Sequence, residues 1–353
     1  MAKSQSSGGG IQCPLPLRDY PNVVLGHGGG GRLTEDLVRH LFLPAFQPGA
    51  AAALPDSAAL TIGDSRLAFS TDSYVIRPLF FPGGCIGELA VNGTVNDLAM
   101  SGAQPLFLSA GFIIEEGFSL AALTEIAQRM GQAASAAGVS IVTGDTKVVE
   151  RGHGDGCYIN TSGIGVIPAG IELRPDQVCP GDAVILSGTI GDHGMAILSV
   201  REGLEFESDI VSDTAPLHEL VAAILKVCPE AHAFRDPTRG GVAATLNEIA
   251  AVSQVGIELQ EIAIPIQPAV RSACELLGLD PLSVANEGKL IAFVPADRAE
   301  DVVTVMRQHA QGTNACIVGQ VTDAHPKMVV MRTEIGATRI VLLPIGEQLP
   351  RIC

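Results

Sequence analysis

Four aspartates stand where a divalent cation could be held against a phosphate chain. Asp72 lies in Ser70-Thr71-Asp72-Ser73, at the tip of a β-like run. Asp97 lies in Asn96-Asp97. Asp145 follows an apolar run in Gly144-Asp145-Thr146-Lys147, and Asp236 lies in Arg235-Asp236-Pro237-Thr238-Arg239-Gly240-Gly241, ahead of a helical stretch. Aspartate at a strand end beside Gly or Thr is the placement of a Mg²⁺ ligand facing a nucleotide. Each one alone is more often a helix cap or turn former. As a set, with few other charges nearby, they suggest a phosphate–metal site, and the spacing does not specify which. The run Gly26-His27-Gly28-Gly29-Gly30-Gly31-Arg32-Leu33 adds a second feature. Gly26 and Gly31 have Walker A spacing, but Arg32-Leu33 stands where Lys-Ser/Thr is required, so a standard P-loop is rejected. The glycines still leave backbone N–H groups free to wrap phosphates, and equally suit a plain surface loop.

Three further side chains carry reactive groups. Lys147 follows an apolar strand and a Gly-Asp turn, which suits an exposed charge or a contact to a phosphate or oxyanion. Glu287, in Ala285-Asn286-Glu287-Gly288-Lys289, reads by itself as a turn carboxylate. His193, in Gly191-Asp192-His193-Gly194, reads as a turn residue, since no second His lies at i+4. Cys353 is the last residue of the chain. A thiol on a proline-stiffened tail is an exposed nucleophile that can be handed between sites, although a terminal cysteine can also be incidental. From Pro344 the tail spans at most about 33–36 Å when extended, enough to enter a pocket on its own chain or a neighbour's.

The elements that must position these groups alternate between β and α periodicity. Strands are expected over Arg66–Val75, Pro105–Ile114, Val139–Thr143 (buried) and Tyr158–Ile167, and helices over Ile86–Met100 and Ser119–Ala137. Ser119 is the expected N-cap of the second helix, and Gly138 lies just past its end. Gly170–Gly181, with Pro175 and Pro180, reads as a linker. Beyond it come a strand over Asp182–Ser187, a glycine turn opening a helix from about Met195, and helices over Leu217–Val227, Val242–Ser253 and Ala299–Gln311. Further strands are expected over Ile257–Leu259, Leu290–Val294, Ala315–Val321 and Lys327–Arg332. The chain therefore reads as a flexible extension (1–21), an N-terminal domain (22–170), a C-terminal domain (171–341) and a mobile tail (342–353). This mixture of elements argues two domains of α/β or α+β class packed side by side.

Composition narrows the function classes. The chain has 353 residues, 47% hydrophobic and 17% charged, enough to bury a substantial core. The 22 Lys and Arg against 38 Asp and Glu give a net charge of −16. Without a basic run, nucleic acid and anionic membranes are poor partners, because both demand phosphate neutralisation. No signal peptide and no apolar run of membrane-spanning length is visible. The eight cysteines are scattered, with no C-x-x-C, which suggests reduced thiols in a cytoplasmic protein.

HGGGGRLTEDL, FSTDSYVIRPLFFPGG, NDLAMSGAQPLFLSAGFIIEEG, IVTGDTKVVERG, SGTIGDHG, RDPTRGGV, ANEGKL and the terminal PRIC, taken in order, strongly resemble the HypE family of [NiFe]-hydrogenase maturation proteins. The resemblance runs from about Val23 to Cys353. It implies the two-domain fold of the aminoimidazole ribonucleotide synthetase superfamily. The N-terminal domain would pair with its copy in a homodimer through a β-barrel-like interface, with ATP in a cleft nearby and a flexible C-terminal tail. It also implies a reaction. A partner carbamoyltransferase loads a carbamoyl group onto Cys353, the chain uses ATP to dehydrate it to a thiocyanate, and the cyanide passes to iron on a scaffold complex.

On this resemblance Mg²⁺ would sit on Asp72, Asp97, Asp145 and Asp236. Asp56 is a weaker match, since Asp-Ser stands where the superfamily often has two acids. Gly28, Gly29, Gly30, Gly31, Thr71, Asn96, Thr146, Thr238 and Arg239 would bind the nucleotide. Glu287 would act as general base, Lys147 would stabilise developing charge or hold the carbamoyl oxygen, and Cys353 would carry the substrate. Two rivals remain at this level. One is a selenophosphate synthetase-like enzyme, although Cys13 lies in a Pro-rich lead-in without the motif that enzyme needs. The other is a non-catalytic docking protein whose Cys353 tail only tethers partners.

Overall fold

The computed structural model describes residues 22–46, 55–203, 210–344, 349 and 351–353. The N-terminal extension, with Cys13, lies outside them. In chain order the first half holds α1 (Arg32–Leu37), a π-helical turn, α2 (Leu43–Phe46), β1 (Ala58–Ile62), β2 (Ser65–Tyr74), the short hairpin β3 (Phe80–Phe81) and β4 (Gly84–Cys85), and α3 (Ile86–Met100). It continues with β5 (Gln104–Glu115), α4 (Leu120–Ala136), β6 (Ser140–Val149) and β7 (Cys157–Val166). The second half holds β8 (Asp182–Leu186), α5 (Asp192–Glu202), α6 (His218–Val227), β9 (Ala233–Arg235), α7 (Gly241–Ser253), β10 (Gly256–Gln260) and α8 (Pro268–Leu277). It ends with β11 (Ile291–Pro295), α9 (Ala299–Arg307), β12 (Cys316–Thr322), β13 (Val329–Arg332) and β14 (Thr338–Val341).

The first sheet has the order β1-β2-β7-β5-β6, antiparallel except for β5 and β6. Its strands alternate strictly. On β2, Ala68, Ser70 and Tyr74 are buried and Phe69, Thr71 and Ser73 are exposed, because one face packs on α3 and the other is open. Every residue of α3 except Glu88 and Asp97 is buried, since the helix lies between this sheet, α4 and the second domain. α4 begins as expected, with the Ser119 hydroxyl accepting from Ala122 N at 3.3 Å, and Gly138 beyond its end has φ +65°.

The second sheet has the order β14-β13-β10-β12-β8-β11-β9. All five residues of β8 are buried. Val184 and Leu186 meet α7 on one face, and Ala183 and Ile185 meet α6 and α9 on the other. That two-sided burial explains its unbroken apolar run.

Four expectations need correction. β6 runs on to Val149 and is exposed almost throughout, because it is the edge strand of the first sheet and no described residue covers its outer side. Asp145 and Lys147 therefore lie within a strand rather than in a turn. The helix expected from Met195 starts at Asp192, with Gly191 (φ +85°) as its N-cap. β1, β9 and β14 are too short to be read from sequence and are held by their neighbours, whereas α8 carries an amphipathic helical pattern that the sequence reading passed over. Finally, the end of the expected mobile tail is docked. Leu349, Ile352 and Cys353 are buried in the core that contains α3, α5 and α8. Among the described residues no helix is long and apolar enough to cross a membrane.

Candidate active site

Asp72, Asp97 and Asp236 converge on the inner side of the first sheet, where the two domains meet. Asp72 shares the inner face of β2 with Ser70 and Tyr74. Asp97 projects from α3 and accepts from Ser70 Oγ at 2.5 Å. Asp236 follows β9 on a turn closed by Thr238 N to Asp236 O (3.0 Å). Asp56, the weaker match, belongs to the same cluster, paired with Arg235 at 2.8 Å; Arg235 also reaches Glu248 at 3.0 Å. Arg235 was not singled out in the sequence, although its place beside Asp236 was a usable signal. Removing one partner of such a buried pair typically destabilises by about 3–5 kcal/mol.

The cluster is short of positive charge. Burial, then the carboxylates of Asp236, Asp56 and Asp72, hold Asp97 well above the usual range. Burial and Asp56 push Asp236 up to about 8 against the opposing pull of Arg235. Asp236 Oδ2 and Glu287 Oε1 are buried without a hydrogen-bond partner among the described residues. A set of oxygen-only donors, mutually repelling and partly unpartnered, fits a hard divalent cation such as Mg²⁺.

Glu287 is placed by its backbone. Its N–H donates to Asp213 Oδ1 (3.0 Å), and its carbonyl accepts from Ala215 N and Asn96 Nδ2, each at 3.4 Å. Asn286 ties this loop to the Asp236 turn through Nδ2 to Pro237 O at 2.9 Å. Gly288 is required here, since a Cβ would stand 1.8 Å from Asp213 O. Burial first, then Asp236, Asp72 and Asp213, raise the Glu287 carboxyl well above its normal range, while Arg239 opposes.

Arg239 links this cluster to the glycine run and to the end of the chain. Its Nη1 donates to Gly28 O at 2.9 Å, and its Nη2 lies 3.9 Å from Asp72 Oδ1. Gly30 (φ +74°) lies so close that a Cβ would come within 2.7 Å of Arg239 Cβ. The loop is therefore packed rather than loose. Two of its N–H groups are already engaged, Gly29 to Gly26 O and Gly30 to Thr34 Oγ1. The charge of Cys353, ahead of those of Asp72 and Glu287, holds the guanidinium in its protonated form.

The tail reaches this point by pairing with the segment after β2. Val75 N donates to Cys353 O and Arg77 N to Arg351 O, each at 3.1 Å, while Arg351 Nε returns to Val75 O at 2.9 Å. Arg201 Nη2 adds a bond to Arg351 O at 2.7 Å, and Arg351 pairs with Asp155. His193 completes the latch. Its Nε2 donates to Ile352 O at 2.6 Å, and its Nδ1 accepts from the Ser212 hydroxyl at 2.8 Å, which itself accepts from Thr214 N. Burial lowers the imidazole pKa, consistent with this neutral tautomer. The turn reading of His193 missed this role. His193→Ala should loosen the tail and raise the alkylation rate of Cys353 about two- to tenfold, the weight of one hydrogen bond of about 0.5–1.5 kcal/mol. An unchanged rate would remove His193 from the latch.

Other expected site residues lie elsewhere. Asn96 is buried, and its amide is spent on the backbone of the second domain: Nδ2 to Ala215 O and Glu287 O, and Oδ1 from Leu217 N (2.8 Å). It positions Glu287 rather than facing a cleft. Ser73, Asn160, Gly111 and Asp145 form one cross-strand row on the outer face, three strand spacings or about 14 Å wide. Asp145 is thus on the opposite face from Asp72 and cannot join the same ion within one chain. Its partner is Lys147 at 2.7 Å, and both side chains are about two-thirds exposed. Thr146 lies between them on the same exposed strand. Thr71 is also on the outer face, accepting from Ser162 Oγ at 2.9 Å.

Comparison with known proteins identifies the family. Residues 55–167 match the N-terminal domain of the AIR synthase related proteins, and 179–331 match their C-terminal domain. The carbamoyl dehydratase HypE of Azotobacter vinelandii is 55% identical over 339 residues, covering 96% of this chain and 99% of the relative. The crystal structure of a HypE–HypF complex superposes with a TM-score of 0.83 at 48% identity, covering 87% of this chain and 99% of that one. A HypE structure in complex with ATP superposes with a TM-score of 0.80 at 47% identity, covering 94% and 100%. The chain belongs to the AIR synthase related proteins and, within them, to the HypE carbamoyl dehydratase family.

Proposed function

We propose that this chain uses ATP to dehydrate a carbamoyl group carried on the sulfur of Cys353, yielding a thiocyanate. The observation that carries this reading is the buried seat of Cys353, whose carbonyl accepts from Val75 N just past the end of the strand that bears Asp72. An amide oxygen is a poor leaving group. When it attacks the γ-phosphoryl of ATP, ADP departs, one N–H proton is lost and an S-bound imidoyl phosphate forms. Loss of the second N–H proton then expels phosphate and closes C≡N. Atoms balance as thiocarbamate plus ATP giving thiocyanate, ADP and phosphate. Glu287 accepts an amide proton. Its raised pKa makes it a strong base once ionised, and positive charge on the cluster favours that ionisation. Asp72, Asp97 and Asp236, with Asp56 beside them, would hold Mg²⁺, which would neutralise the phosphates. Arg239, Thr238 and the Gly28–Gly31 loop would bind the phosphate chain.

A carbamoyltransferase would load Cys353 while the tail is released, and an iron-carrying scaffold would take the cyanide for a [NiFe]-hydrogenase. A carrier thiol must stay reduced, which suits the cytoplasm. The test is mass spectrometry of the C-terminal peptide after incubation with a carbamoyltransferase, carbamoyl phosphate and Mg-ATP. The carbamoyl adduct on Cys353 should lose one water only when ATP is hydrolysed. An adduct that persists despite ATP hydrolysis would reject the dehydratase reading.

We also assign the outer face of the first sheet to a homodimer. Leu60, Phe69, Phe107, Ile113, Ile164 and Val166 are each more than a third exposed on this face. Such a patch on a single chain marks an interaction surface. Asp145, Thr146 and Lys147 border it on β6, and we assign their nucleotide and carbamoyl contacts across that interface. Ile164→Glu should give a monomer in sedimentation velocity and lose dehydration. A monomer of full activity would refute the shared site.

A further inference from the structure

Outside this cleft, one cluster among the described residues brings together three side chains of the kinds that hold transition metals. Cys179, Asp182 and His232 meet at the edge of the second domain, where the segment joining the two domains enters the second sheet. Their donor atoms all lie within 4.8 Å of one another. Cys179 Sγ is 3.8 Å from Asp182 Oδ1 and 3.9 Å from His232 Nδ1, and His232 Nδ1 is 2.7 Å from Asp182 Oδ2.

The backbone fixes all three positions. Asp182 opens β8 and is paired with Pro295 of β11. Asp182 N donates to Cys179 O at 3.1 Å, and Cys179 N donates to Asp182 Oδ2 at 3.0 Å, closing a tight loop. His232 is held on both sides, its N to Phe293 O at 3.0 Å and its O from Arg174 N at 2.9 Å. Asp182 is 2% exposed while Cys179 is exposed, so the donors form a pocket with one side open to water.

We propose that Cys179, Asp182 and His232 form a second metal site, for a borderline divalent transition ion with Zn²⁺ first. Around a tetrahedral Zn²⁺ neighbouring donors stand about 3.3–3.6 Å apart. The thiol therefore needs to move in by a few tenths of an ångström, and the His–Asp pair must open by somewhat more. The ion takes the place of the protons on the thiol and between imidazole and carboxylate. A thiolate and a carboxylate together balance its charge, and water fills the fourth position. Sulfur and nitrogen donors disfavour Mg²⁺, whereas the acid cluster of the cleft offers oxygen alone. The two sites thus select different metals, and the second ties the interdomain segment to β8 and β9.

The test is titration of the Cys353→Ala chain with Co²⁺, which removes the tail thiol as a competing ligand. With excess Mg²⁺ present to fill the acid cluster, we expect one Co²⁺ per chain, with a near-ultraviolet thiolate charge-transfer band and a tetrahedral visible spectrum. Both should vanish in Cys179→Ser and His232→Gln, and Zn²⁺ affinity should fall at least tenfold in each. Absence of the charge-transfer band, or its survival in Cys179→Ser, overturns the proposal. A second measurement needs no folded variant. Zn²⁺ should protect Cys179 of the unsubstituted chain from iodoacetamide, read on the tryptic peptide, and equal labelling with and without Zn²⁺ also overturns it.

Discussion

Replacing Cys353 by Ala should abolish thiocyanate formation completely, because the sulfur is part of the substrate rather than an aid to its turnover. The loss should be selective. The bonds from Val75 N to Cys353 O and from His193 to Ile352 O involve the backbone of the tail, and Leu349 and Ile352 keep their burial. The variant tail therefore still docks, and stability should change by no more than about 1 kcal/mol, the scale of a small change of volume in a core. Nucleotide binding should persist, since the acids, Thr238 and the glycine loop are untouched. The measurements are nucleotide affinity by calorimetry and product by mass spectrometry of the terminal peptide. Thiocyanate formed elsewhere on the variant chain would show that Cys353 is not the carrier.

Glu287→Gln should lower dehydration by roughly 10²–10⁴, the usual range for removing a general base. The sign of its stability effect separates this reading from a purely structural one. Glu287 is 3% exposed, its Oε1 has no partner among the described residues, and Asp236, Asp72 and Asp213 all disfavour its charge. Its folded pKa is raised, so above its unfolded value the folded state must retain a proton that the unfolded state has released. Folding thus loses stability as the pH rises from that value towards the folded pKa. Gln removes this penalty while keeping the shape. The variant should be at least as stable as the parent at neutral pH, with a flatter decline in Tm as pH rises, yet nearly inactive. A variant as active as the parent would return Glu287 to the turn residue it resembles in sequence. A variant that is inactive because it unfolds would assign it to structure instead.

Much of the fold was legible in the sequence. α3 was bounded correctly because its apolar spacing is helical and because Cys85 and Ser101 flank it in non-helical conformations. β2, β5 and β7 were found for the corresponding reason, a period of two bounded by turn residues. The acids and the Arg239 turn were also visible, since strand-end aspartates among glycines stand out in a chain with so few charges. What local pattern does not carry is the neighbour. β6 was read as buried because it is apolar, yet its outer side has no cover among the described residues. β9 and β14, at three and four residues, exist only because β11 and β13 are there to pair with.

The sequence by itself thus marked most of the residues that could do chemistry, although it put Asp145, Lys147 and His193 in turns rather than in β6 and α5. Only the tertiary structure decided which of them meet. Asp72 and Asp145 look alike as strand aspartates, but strand order and register set them on opposite faces about three strand spacings apart. Asn96 and Asp97 are adjacent, and the turn of α3 gives one to the backbone of the second domain and the other to the acid cluster. His193 and Cys353 are far apart in the chain and become partners through a backbone carbonyl that no side-chain pattern encodes. Spacing along a chain fixes the face of an element, whereas contact between elements depends on long-range pairing that no local window contains.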